Sequence, residues 1–143
     1  MDQLQERLAR IGLEVLAGRG FVLGGGHAVE LHGMASRMSE DIDLFSPVRG
    51  SPGEAAADLL AAYRGKGFAV TILRETADLV QLEVAGDGGG ACKVDLGVFW
   101  RSRAPVLLDV GPVLHPDDAA GGKMDALFNR WAPRDFLDID AKA

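Results

Sequence analysis

The sequence predicts an α/β domain, a mixed β-sheet with helices packed against it. Three observations carry that reading. The chain opens on "DQLQERLARIGLEVLAG", where Leu4, Leu8, Ile11 and Leu16 recur at roughly helical spacing. Three strand-like runs, "FAVTILRE", "DLVQLEVAG" and "ACKVDLGVFW", follow one another after Gly67. Helical segments stand both before and after these strands, with no repeat, linker or low-complexity tract between them. The expected organisation is one domain over residues 1–143, long enough to bury a sizeable core.

Taken in order, the first helix stops at Gly18 and Gly20. "FVL" is a short strand, and Gly24, Gly25 and Gly26 form a turn leading into a helix over "HAVELHGM". "DIDLF" is the next strand, closed by Ser46 and Pro47. "SPGEAAADLLAAYRGKG" has Pro52 near a helix start and a glycine at its end. After the three strands, whose last two are separated by the "DGGG" turn, "PVLLDVGPVLH" reads as two short strands around Gly111 and Pro112. "PDDAAGGKMDALFNRW" reads as a loop followed by a helix that Lys123 opens, and "PRDFLDID" starts another helix.

Composition narrows the function classes. Apolar residues make up 48% and charged residues 25%, an ordinary globular mixture. No apolar run reaches the length of a membrane span, and the "MDQLQERLAR" start is not a signal peptide. The one cysteine, Cys92, rules out an internal disulfide framework; it fits a cytoplasmic protein and a buried strand position. A net charge of −6 argues against a broad basic surface for nucleic acid, although Arg101, Arg103, Lys123, Arg130 and Arg134 gather late in the chain.

The chemistry concentrates in "RMSEDIDLFSP". Strand side chains alternate, so Asp41 and Asp43 share one face while Ile42 and Leu44 take the other. Two aligned carboxylates repel unless a cation sits between them, and hard oxygen ligands suit Mg²⁺ together with substrate phosphates. A third acid, Asp95 in "KVDLGVF", lies among apolar residues where a charge has no packing role. If its strand neighbours "DIDLF", three carboxylates meet at one edge, a layout suited to two-metal phosphoryl or nucleotidyl transfer.

Two further segments fit such a site. The glycines of "LGGGHAVELHG" let backbone N–H groups approach a phosphate closely, and Ser39 lies two residues before Asp41. Ser39 is equally readable as a turn cap. Lys123 and Arg130, two turns apart on one helix face, could neutralise a triphosphate. His27, His32 and His115 are not spaced as zinc ligands and read as structural or surface residues.

Together, "LGGGHAVELHG", "SEDIDLF", "KVDL", "KMDALFNR" and "RDFLD" make a pattern, from about Gly24 to Asp138, that resembles the AbiEii/AbiGii-type nucleotidyltransferase toxins. These belong to the DNA polymerase beta-like nucleotidyltransferase superfamily. The resemblance implies a minimal nucleotidyltransferase fold, a two-metal Mg²⁺ site and an NTP substrate. It also implies transfer to an RNA acceptor, the tRNA 3′ end, and a cognate antitoxin within a bacterial toxin–antitoxin or abortive-infection system.

By motif, Asp41 and Asp43 match the metal-binding pair, Ser39 the serine beside it, and Lys123 the nucleotide-contacting lysine. Asp135 matches the acid of the late "RDF" motif, and Asp95 fits the third carboxylate by strand context. Gly26 stands where the family commonly has threonine, and the sequence ends at "FLDIDAKA", where the family continues into further helices. Two other readings stand beside this one: an antibiotic nucleotidyltransferase acting on aminoglycosides or lincosamides, and a shortened nucleotide-binding module without turnover.

Overall fold

The computed structural model describes residues 1–33, 41–86 and 88–125, with side chains as far as residue 120. Helix α1 (Gln3–Val15) begins at a capping box. Asp2 Oδ1 accepts from the Gln5 N–H at 2.7 Å, and Gln5 Oε1 accepts from the Asp2 N–H at 2.9 Å. Two otherwise unpartnered donors of the first turn are thereby satisfied. Strand β1 (Val22–Gly24) runs straight into helix α2 (Gly25–Leu31), so the last two of the three glycines already lie in the helix rather than in a separate turn.

Strand β2 (Asp41–Ser46) is followed by helix α3 (Ser51–Gly65), then by the meander β3 (Ala69–Glu75), β4 (Leu79–Ala85) and β5 (Ala91–Val98). Short strands β6 (Val106–Leu108) and β7 (Gly111–Val113) lead to helix α4 (Pro116–Asp125). The sequence predicts that Lys123 opens this last helix. It starts at Pro116 instead, and Lys123 lies within it. Gly121 and Gly122 made the segment look like a loop, but Asp118 fastens its first turn to the chain after β5. The Asp118 carboxylate accepts from Ser102 Oγ at 2.7 Å, from the Ser102 N–H at 3.1 Å and from the Arg103 N–H at 2.9 Å.

The seven strands form one mixed sheet in the order β3-β4-β5-β2-β1-β7-β6. β2 pairs parallel with β5 and β1 parallel with β7, while the remaining neighbours are antiparallel. One face is apolar: Ile42 and Leu44 on β2, Val94 and Leu96 on β5, and Val80, Leu82 and Val84 on β4 are all fully buried. Helices α1 and α3 pack on it.

Close contact there depends on Gly12. A Cβ at this position would lie 2.8 Å from Leu44 Cδ1 and 3.2 Å from Tyr63 Oη, so any side chain here would make these buried groups shift. Tyr63 is fully buried, and its hydroxyl donates to the Leu8 carbonyl at 2.8 Å, tying α3 to α1. Cys92 is buried in this core, as its flanks suggest; burial first, then the nearby Asp41 and Asp2 carboxylates, push its thiol pKa up to about 12. Among the described residues no helix is long and apolar enough to cross a membrane.

Candidate active site

The opposite face of the sheet is polar, and the strand registers place its residues in rows. Asp41, Asp43 and Phe45 are the half-buried positions of β2, alternating with the buried Ile42, Leu44 and Ser46. On β5 the same face carries Lys93, Asp95 and Gly97. Because β2 and β5 run parallel in register, Asp43 stands directly beside Asp95, Asp41 beside Lys93, and Phe45 beside Gly97. Neighbouring strands lie about 4.8 Å apart and alternate residues of one strand about 6.7 Å, so Asp43 and Asp95 are the closest carboxylate pair in this layout.

The row extends in both directions. On one side Gly24 of β1 pairs with Asp43. On the other, Gln81 of β4 pairs with Asp95, and Arg74 of β3 pairs with Gln81. The next row holds Asp41, Lys93, Glu83 and Thr71 in the same strand order.

The glycines allow close packing around Asp43. Gly25 has φ +62°, a left-handed conformation, and a Cβ there would overlap the Asp43 carboxylate. A Cβ on Gly24 would overlap the Phe45 ring, and one on Gly97 would come within 3.2 Å of it. Phe45 therefore sits in a slot between two glycines, with the Phe99 ring centroid 5.6 Å away, and walls one end of the carboxylate row. The chain reversal at Gly24–Gly25 thus lies in contact with Asp43, where the sequence order alone could not place it.

Of the residues expected to form the site, Gly24, Gly25, Asp41, Asp43 and Asp95 are brought together by these registers. Gly26 follows Gly25 in α2, and the backbone of Lys123 lies in α4, which packs against α2. Ser39, Arg130 and Asp135 lie outside the described residues. His32 Nε2 donates to the Leu114 carbonyl at 2.7 Å, anchoring the end of α2 beside β7. His27 is fully buried with Nδ1 3.2 Å from Glu30 Oε1; burial pushes its pKa down, against the pull of Glu30. His32 thus ties α2 to the segment after β7, while His27 and Glu30 pair within the helix.

Sequence reading missed Lys93 and Gln81 as neighbours of the acids. Lys93 was legible in principle, since it lies two residues before Asp95 on the same strand face. Gln81 was not, because its place depends on the β4–β5 register.

As for a metal, the donors on this face are carboxylate oxygens, the chemistry Mg²⁺ takes. Among the described residues no three acidic, histidine or cysteine side chains are drawn into a ready-made metal cage. Mg²⁺ commonly uses only one or two carboxylates and fills its shell with water and substrate phosphates, so this donor set fits it.

The class of protein follows from the fold. The structure of JHP933 from Helicobacter pylori superposes with TM-score 0.60 at 19% identity, covering 90% of this chain and 60% of that one. MenT4, a nucleotidyltransferase toxin from Mycobacterium tuberculosis, superposes with TM-score 0.52 at 18% identity, over 85% of this chain and 51% of that one. ANT(2″)-Ia, solved with adenylyl-2″-tobramycin, gives TM-score 0.54 at 20% identity, over 98% and 86% of the two chains. The shared architecture is the nucleotidyltransferase fold, and the chain spans only about three-fifths of JHP933 and half of MenT4.

The family is equally definite. The model of the AbiEii nucleotidyl transferase toxin family, a type IV toxin–antitoxin system, matches residues 8–142, and the chain belongs to that family. Comparison with characterised proteins by sequence gives no significant match.

Proposed function

We propose that the protein is a Mg²⁺-dependent nucleotidyltransferase that moves a nucleoside monophosphate from an NTP to the 3′ hydroxyl of an RNA, with tRNA as the acceptor. The observation that carries this is the in-register placement of Asp43 beside Asp95, with Gly25 packed against the Asp43 carboxylate. Carboxylates side by side on one sheet face are the oxygen donors that Mg²⁺ shares with substrate phosphates.

In this reading the triphosphate lies on the Gly24–Gly25 side, where backbone N–H groups meet it without side-chain obstruction. Asp41, Asp43 and Asp95 would hold Mg²⁺, which supplies charge neutralisation at the phosphates and a more acidic acceptor hydroxyl. The 3′ oxygen forms a bond to the α-phosphorus as the bond from that phosphorus to the bridging β-oxygen breaks. Pyrophosphate leaves, and the hydroxyl proton passes to the Asp95 carboxylate and on to water. Lys123 and Arg130 neutralise the departing pyrophosphate, with Ser39 and Asp135 completing the nucleotide contacts.

Membership in a type IV toxin–antitoxin family supports a toxin role in the cytoplasm with a cognate antitoxin as partner. A transfer assay with Mg²⁺, each labelled NTP and total bacterial tRNA tests the reading, with aminoglycosides and lincosamides as alternative acceptors. Label on tRNA, abolished by Asp43→Asn, is the expected result. Label on an antibiotic alone would replace the acceptor, and nucleotide binding without transfer to anything would replace the function with that of a binding module.

A further inference from the structure

Resting on that reading, we infer that the polar face of β5, β4 and β3 is the track along which the single-stranded 3′ end of the RNA acceptor reaches the carboxylates, with Lys93 and Arg74 gripping its phosphates. In an in-line displacement the attacking and leaving oxygens lie on opposite sides of the α-phosphorus. The glycine reversal that receives the triphosphate is on the β1 side of Asp43, so the acceptor enters from the β5 side. The registers name what it meets there: Asp95, then Gln81, then Arg74 along one row, with Lys93 and Glu83 in the row beside it.

Two properties of this face suit a nucleic-acid strand. Among the described residues Arg74, Glu83 and Lys93 are exposed and Gln81 is half-buried, leading to the buried Asp95, while α1 and α3 occupy the other face. The polar face's cations also enter no ion pair among the described residues: Lys93, which the registers set between Asp41 and Glu83, and Arg74 form none, whereas Arg10, Arg19, Arg49 and Arg103 each form one within 3.1 Å. Lys93 lies about 6.7 Å along the strand from Asp95, and Arg74 two strands away, about 9.6 Å. Those separations put the two cations within side-chain reach of phosphates next to a 3′ terminus at Asp95. A net acidic protein can hold RNA this way because contact is confined to one strip, and the affinity then depends on few phosphates.

The test is equilibrium binding of fluorescein-labelled total bacterial tRNA, without NTP, over a series of salt concentrations. It compares the unaltered chain with Lys93→Ala, Arg74→Ala, the double variant and Glu83→Lys, and measures binding of a fluorescent ATP analogue in parallel. Each cation removed should weaken tRNA binding several-fold and flatten the plot of log affinity against log salt by about 0.7 to 1. Glu83→Lys should tighten binding and steepen the slope, and nucleotide binding should stay unchanged throughout. Unchanged tRNA affinity and slope in the double variant would overturn the inference, as would an equal loss of nucleotide binding. Because no turnover is needed, binding through these cations without any transfer would leave this inference standing while the transferase reading fell. Transfer to tRNA with an unaltered salt slope would do the reverse.

Discussion

Asp43 on β2 and Asp95 on β5 are direct neighbours across a parallel strand pair, each at the middle of its strand and both on the face opposite the core. Parallel neighbours of like charge are an unfavourable arrangement that a sheet tolerates only with a counter-charge. Replacing either acid with asparagine keeps the shape and removes the charge. Asp43→Asn and Asp95→Asn should each lower nucleotidyl transfer by more than about 100-fold, or about 2.7 kcal/mol in the barrier. Each variant should still fold cooperatively, which separates loss of chemistry from loss of structure; rate and thermal melt measured on the same samples check both.

Gly25 cannot be replaced without a double cost. Its φ of +62° is strained for any residue with a side chain, and the added Cβ meets the Asp43 carboxylate. Gly25→Ala should lose about 1–2 kcal/mol of stability from the backbone alone and should also abolish transfer by displacing Asp43. Gly88→Ala, where a Cβ meets nothing within 4 Å, is the control and should change neither.

Much of the fold was legible because its signals are local. The helical spacing of Leu4, Leu8, Ile11 and Leu16, the alternation in "DIDLF" and the Pro-start of "SPGEAAADLL" each specify their own element. What the sequence could not supply was the lateral order of strands. Asp95 belongs beside Asp43 only because β5 inserts parallel to β2 after an antiparallel meander, a pairing decided by which apolar faces fit α1 and α3. The start of α4 was hidden for a similar reason, since Asp118 and Ser102, which secure it, are sixteen residues apart and joined only by folding. Lys93 is the exception, since its spacing of two from Asp95 already places it on the same strand face.

The Tyr63–Leu8 hydrogen bond gives a stability prediction away from the site. Tyr63→Phe removes the hydroxyl and leaves the ring in place, so it should cost about 1 kcal/mol and lower the urea midpoint without changing the slope of the transition. Nucleotide binding should be unaffected.

Asp118 predicts an acid-side effect. Burial alone would raise its pKa, but the hydrogen bonds from Ser102 Oγ and from the Arg103 and Ser102 N–H groups outweigh this and hold the carboxyl below its ordinary range. A depressed carboxylate contributes stability that is fully present above its unfolded pKa of about 3.9 and lost as pH falls through the folded value. Between pH 5 and about pH 3 the unaltered protein should therefore lose more stability than Asp118→Asn, measured by thermal melting across that range.

Cys92 carries a prediction of inertness. With its thiol buried and its pKa pushed up to about 12, almost no thiolate exists at pH 8 in the folded chain. Iodoacetamide should label it only at the rate the protein opens, and rapidly in denaturant; mass spectrometry over a labelling time course reads this directly.

The central claim is that the Asp43–Asp95 row is a nucleotidyl-transfer centre. Its most direct test is incubation with Mg²⁺, each α-labelled NTP in turn and total bacterial tRNA, beside Asp43→Asn. The account predicts label on the 3′ end of tRNA with at least one NTP, and none with the variant. Equal labelling by both proteins, or no transfer with any nucleotide from a protein that binds NTP and tRNA, would contradict it.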